Sequence, residues 1–117
     1  MLAWFIRQFP GNLFTTAVCE AEILLGVALL PDGQRKRDLE TAAHQILALF
    51  VGRVLPFESD AAVAFAKVVS DRRRLGRPIA DFDAQIAAIA LTRGYAVVTR
   101  DVADFQETGE RVVDPWG

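Results

Sequence analysis

Ala80-Asp-Phe-Asp-Ala-Gln-Ile-Ala-Ala-Ile-Ala-Leu-Thr-Arg-Gly-Tyr-Ala-Val-Val-Thr99 reads as a helix running straight into a strand. Phe82, Ile86, Ile89, Ala90 and Arg93 keep helical spacing over residues 80 to 93, and Gly94 supplies a left-handed terminus. Tyr95 to Thr99 is then too short and too rich in β-branched residues for a helix, and is expected to be a buried strand. Upstream the same alternation repeats. Ser59 is placed to cap a helix with Ala62, Phe65, Ala66 and Val69 on one face and Arg72-Arg73-Arg74 near its end, before Gly76. Val54-Leu55-Pro56-Phe57 precedes it as a strand, and Pro56, which lacks a ladder donor, points to an edge or a strand end.

Further out, Leu39, Ala42, Ala43, Ile46, Leu47 and Phe50 predict a helix over 34 to 50, closed by Gly52. Leu13-Phe14-Thr15 suits a strand. Thr16 can then cap a helix that carries Val18, Ile23, Leu24, Val27 and Ala28 toward a core, until Pro31-Asp32-Gly33 stops it. Residues 2 to 8, with Trp4, Phe5 and Phe9 about a turn apart, predict a short helix ended by Pro10-Gly11. Downstream, a polar turn from Arg100 to Glu110 leads to a last strand, Arg111-Val112-Val113. Strands alternating with helices through short turns predict one α/β domain over residues 1–117, a parallel sheet with helices on its faces.

Composition narrows the function. A net charge of −2 excludes a basic nucleic-acid coat, while a hydrophobic fraction of 52% in 117 residues is enough for a folded core. A single cysteine, Cys19, forms no internal disulfide, and no Cys/His cluster is present to hold zinc. No signal peptide or apolar run of membrane-spanning length is read, so the expected setting is the cytoplasm, without membrane contact. The lone His44 has no nearby serine or cysteine with which to form a nucleophilic pair, and Cys19 reads as packing. Isolated glycines make no phosphate-binding loop.

Acidic residues at particular topological places remain. Glu20 and Glu22 lie in the helix after the first strand, Asp81 and Asp83 open the helix at 80 to 93, and Asp101 and Asp104 follow the strand at 95 to 99. Ligands of open parallel sheets collect beyond the carboxyl ends of the strands. Carboxylates gathered there repel one another, and a hard divalent cation, Mg²⁺ or Mn²⁺, relieves the repulsion. Such an ion aligns water for attack on a phosphodiester. Taken singly, each acid has a plainer reading: Asp81 as a helix cap and Glu20 as a solvated side chain. Glu22, between Ala21 and Ile23 on an expected inward side, and Asp83, beside a run of small residues, fit a ligand role better. Arg72, Arg73, Arg74 and Arg77 are candidates to guide phosphates, or equally to satisfy a helix end.

Thr16-Ala-Val-Cys-Glu-Ala-Glu-Ile-Leu-Leu-Gly, Asp81-Phe-Asp-Ala-Gln-Ile-Ala-Ala-Ile-Ala and Val98-Thr-Arg-Asp-Val-Ala-Asp-Phe together make the sequence resemble PIN-domain ribonuclease toxins of bacterial toxin/antitoxin pairs, of the VapC/FitB branch. Gly52-Arg-Val-Leu-Pro-Phe and the ending Val112-Val-Asp-Pro-Trp belong to the same resemblance, which runs through essentially the whole chain. It implies a three-layer α/β/α PIN-like fold with a short, mostly parallel sheet flanked by helices. It also implies an endoribonuclease using Mg²⁺ or Mn²⁺, with Glu22, Asp83 and Asp101 as metal ligands and catalytic residues. Asp104 joins them as an assisting ligand, and Thr99 is placed to position a ligand or water. An RNA substrate, a small cognate antitoxin and a homodimer are the implied partners, with the helices near 2 to 9 and 34 to 50 as candidate surfaces. The family's opening strand, which ends in an Asp-Thr-Asn motif with a ligating aspartate, has no counterpart in these residues, so the first strand is expected to be missing. Two other readings stand beside this one: a non-catalytic remnant that still binds an antitoxin, and a receiver-like or flavodoxin-like binding module.

Overall fold

The computed structural model describes residues 13–98, 102–105, 108–109 and 112–113. Elements follow in the order β1 (Thr15–Thr16), α1 (Ala17–Ala28), α2 (Gln34–Ala48), β2 (Val54–Leu55), α3 (Ser59–Arg74), α4 (Asp81–Arg93), β3 (Val97–Val98), a 3-10 turn (Val102–Phe105) and β4 (Val112–Val113). The helix expected over 2 to 8 lies outside the described residues. The α/β alternation read from the sequence is the architecture found.

The strands are parallel, and the described ones form two separate pairs. Thr15 pairs with Val54 and Thr16 with Leu55; Val97 pairs with Val112 and Val98 with Val113. The rings of Phe14 and Tyr95, just ahead of β1 and β3, stack with centroids 5.2 Å apart. That contact ties the entrances of the two pairs together.

Local chemistry explains most boundaries. The Thr16 hydroxyl accepts the Cys19 N–H at 2.9 Å and so caps α1 as expected. Two helices end in the same device. After α3, Gly76 at φ 70° lets its N–H reach the Arg73 carbonyl and the Arg77 N–H reach the Arg72 carbonyl. After α4, Gly94 at φ 70° does the same for Leu91, while Tyr95 reaches Ala90. These paired bonds satisfy carbonyls that a helix end would otherwise leave open.

Two expected caps are absent. Ser59 and Asp81 are each the first residue of their helix, behind Glu58 and Ala80, and neither Glu58 nor Ala80 makes a side-chain capping bond. Instead the Asp60 carboxylate accepts the Ala61 N–H at 2.8 Å, and an acid in the first turn suits the positive end of the helix dipole.

Helix α4 is the keel. Ala84, Ala87 and Ala88 are fully buried, and Ile89 is the largest side chain wholly withdrawn from solvent. One core cluster joins Val18, Ala61, Ala88 and Ile89; a second joins Ala87, Ala90, Val97 and Phe105, and Ile86 packs against both. The inward face of α3 differs from expectation by one position. Ala61, Val68 and Arg72 are buried, whereas Ala62 and Ala66 are exposed. Leu24 and Ala28 of α1 also face solvent, and among the described residues 95–98 of the expected buried strand only Val97 is deeply covered.

Candidate active site

The acids converge through helix packing. Val18 on α1 shares a cluster with Ala88 and Ile89 on α4. Four residues further along α1 comes Glu22, and five back from Ala88 comes Asp83 in the first turn of α4. The two carboxylates, 61 positions apart in sequence, are close enough for the charge of Asp83 to act on Glu22. Desolvation first, and the Asp83 charge second, hold the Glu22 carboxyl above its ordinary value. Glu22 as a whole residue is nevertheless exposed, so its desolvation is partial; Asp83 is half-buried.

This placement reverses one detail of the sequence reading. Glu20 is the half-buried member of its pair and Glu22 the exposed one, because Glu22 looks toward the α4 start rather than into the core. Asp81 is exposed. Asp104 is exposed on the 3-10 turn, where its backbone carbonyl accepts an Arg72 N–H at 3.1 Å. Asp101 and Thr99 lie outside the described residues. Among the described residues, no three His, Cys, Asp or Glu side chains group closely enough to hold a metal; Glu22 and Asp83 form a pair. An all-oxygen pair of mutually repelling carboxylates fits part of the shell of a hard divalent cation.

The basic run divides by position. Arg72 is buried at 5% exposure, and its guanidinium donates to the Arg77 and Asp104 carbonyls, so of the two readings of the run it follows the one that satisfies backbone carbonyls. Arg74 is exposed and paired with Asp71, which Lys67 also contacts at 2.7 Å; these hydrogen bonds and charges outweigh partial burial and lower the Asp71 pKa. Arg73 and Arg77 remain exposed. His44 is exposed on α2. Sequence reasoning missed two buried groups after β3, Phe105 and Thr108. The Thr108 hydroxyl donates to the Phe105 carbonyl at 2.5 Å, closing a small turn inside a stretch that looks polar throughout.

Residues 2–111 match the PIN domain family. The chain belongs to the PIN-domain family. Toxin FitB of Neisseria gonorrhoeae is 37% identical over 117 residues, a span of 99% of this chain and 84% of that protein. VapC ribonuclease Y4jK of Sinorhizobium fredii is 33% identical over the same shares. The solved structure of FitAB bound to an IR36 DNA fragment superposes on this PIN domain with a TM-score of 0.86 at 37% identity, covering 99% of this chain and 82% of that one. The PIN-like α/β fold expected from the sequence is therefore the fold this chain has. Among the described residues, no helix of this PIN domain is long and apolar enough to cross a membrane.

Proposed function

We propose that this PIN domain is a metal-dependent endoribonuclease toxin of a toxin/antitoxin pair. Glu22, Asp83 and Asp101 are its metal ligands and catalytic residues, and Asp104 assists. The observation that supports the reading is the Glu22–Asp83 pair: two carboxylates from distant segments, close enough that the Asp83 charge adds to desolvation in raising the Glu22 pKa. A pair kept in place against repulsion suits a function that needs concentrated negative charge. Likeness to a VapC ribonuclease supports the activity class.

Glu22 and Asp83 would hold Mg²⁺ or Mn²⁺ between α1 and the start of α4, with Asp101 as the third ligand by family resemblance. The ion, when bound, supplies an acidified water and offsets charge on a phosphodiester. The chain's own contribution is to fix the carboxylates on packed helices, so that little reorganisation accompanies the reaction. Arg73 and Arg77 are exposed and would be the cations that meet phosphates of the RNA.

A small antitoxin and a second copy of the chain are the proposed partners, in keeping with the likeness to FitAB. Leu24 and Leu25 on α1 with Leu29 at its end, and Ile46 on α2 with Leu49 at its end, are exposed apolar side chains that such partners would cover. The proposed compartment is the cytoplasm.

The test is cleavage of a mixed RNA substrate with Mg²⁺ or Mn²⁺ and with chelator. Asp83→Asn should abolish cleavage while leaving the circular dichroism spectrum unchanged. Metal-independent cleavage, or full activity in the variant, would refute the reading. A folded wild type that binds antitoxin without cutting RNA would support the non-catalytic remnant.

A further inference from the structure

Arg72 is a charged residue in a place where charge is costly. It ends the inward stripe of α3 that begins at Ala61 and passes through Val68, and it is 5% exposed. Burying a guanidinium is tolerated only when its donors are matched. Nε donates to the Arg77 carbonyl at 2.6 Å, and Nη1 to the Asp104 carbonyl at 3.1 Å. The Arg77 N–H in turn donates to the Arg72 carbonyl at 2.9 Å, so Arg72 and Arg77 are bonded through both backbone and side chain.

The two carbonyls belong to different acid-bearing segments. Arg77 lies in the connection that leads from α3 into Asp81–Asp83 and the start of α4. Asp104 lies on the 3-10 turn that follows Asp101 in sequence. One guanidinium thus bridges the approach to Asp83 and the segment after β3.

We infer that Arg72 is a positioning residue, which sets the 3-10 turn carrying Asp104 against the connection that leads to Asp83 and so fixes the spacing of the acidic site. This rests on the metal-dependent reading above. Arg72 touches neither ion nor RNA. A Lys in its place keeps a donor but lacks the rigid fork that holds both carbonyls in fixed directions, and a Met donates to neither.

The experiment compares wild type, Arg72→Lys, Arg72→Met and Val68→Ala, the last being a buried change on the same face of α3 that removes packing and leaves the bridge. Two readouts are taken below the melting transition. One is Mn²⁺ affinity by electron paramagnetic resonance. The other is amide exchange of residues 102–109 without metal. Arg72→Met is expected to weaken Mn²⁺ binding by about tenfold or more, as loss of a group that orients ligands does, and to speed exchange in that segment. Arg72→Lys should fall between it and wild type, and Val68→Ala should match wild type in both.

Wild-type affinity and exchange in both Arg72 variants would overturn the inference. So would equal weakening in Val68→Ala, which would reduce Arg72 to general stability. If Arg72→Met does not fold, Arg72→Lys decides alone by the same criteria. Wild-type protein that binds no Mn²⁺ refutes the metal-dependent reading and this inference together, whereas Mn²⁺ binding that is indifferent to Arg72 refutes this inference only.

Discussion

Ile89→Ala tests whether α4 is the element on which the fold depends. Ile89 is 1% exposed and lies in the cluster formed with Val18, Ala61 and Ala88, so it joins three helices at one point. The substitution removes three carbon atoms from a site with no solvent access. At roughly 0.8 kcal/mol per buried methylene the lost transfer energy is about 2.4 kcal/mol. The cavity left behind adds to this, because backbone-close alanines at 84, 87 and 88 have no flexible side chains with which to fill it. The expected loss is about 3 to 4 kcal/mol, a large share of a net stability on the order of 10 kcal/mol. Urea unfolding followed by circular dichroism should show a lower midpoint at unchanged slope. Val63→Ala, at a position 75% exposed on α3, is the matched control and should cost less than about 0.5 kcal/mol. A loss below about 1 kcal/mol for Ile89→Ala, or an equal loss for Val63→Ala, would refute this account of the core.

Three further outcomes follow from local geometry. Thr16→Ala removes the hydroxyl that accepts the Cys19 N–H and should cost about 1 kcal/mol in the same assay, with Thr16→Ser recovering most of it. Gly94→Ala forces a Cβ into φ 70° and should destabilise by about 1 kcal/mol, even though no atom lies within 4 Å of the added carbon. Glu22→Gln should stabilise the metal-free protein near neutral pH and lose that advantage in acid. The sign follows from the raised folded-state pKa: the folded chain holds the Glu22 proton more tightly than the unfolded one, so stability falls as pH rises from 4.5 through the folded value. Thermal melts of wild type and variant across that window should therefore diverge upward in pH, and divergence in the opposite direction would contradict the assigned coupling.

Legibility in the sequence followed the range of the interaction. The Thr16 cap and the Gly94 terminus were readable because each is decided within a few residues. The inward face of α3 was not, because its Ala- and Val-rich sequence offers two apolar stripes. Ala62-Phe65-Ala66-Val69 looks as apolar as the stripe through Ala61 and Val68, and only packing against α4 chooses. The stripe that packing chose carries Arg72, and an arginine four residues after a core valine was the available sign of a buried bridge. Glu22 and Asp83 were legible as candidates from their places after a strand and at a helix start. Their proximity was not, since it depends on α1 and α4 meeting at Val18, Ala88 and Ile89. Phe105 and Thr108 were hidden because a turn of polar composition gives no period from which burial can be read.

The coupling of the acidic pair can be taken apart by one substitution. Two causes raise the Glu22 pKa, desolvation the larger and the Asp83 charge the smaller. Asp83→Asn keeps nearly the same shape and removes the charge, exchanging one acceptor oxygen for an amide donor, so Glu22 should titrate lower than in wild type yet stay above its ordinary value. Site-resolved carboxyl carbon chemical shifts measured against pH in the metal-free protein would report both parts. Full return to the ordinary value would make Asp83 the whole cause and leave no role for the protein surface around Glu22. An unchanged titration would mean that the two carboxylates do not interact, and the helix contact at Val18 would then fail to bring the acids of α1 and α4 to one place. Because the measurement needs neither metal nor RNA, it judges the geometry of the pair separately from the activity proposed for it.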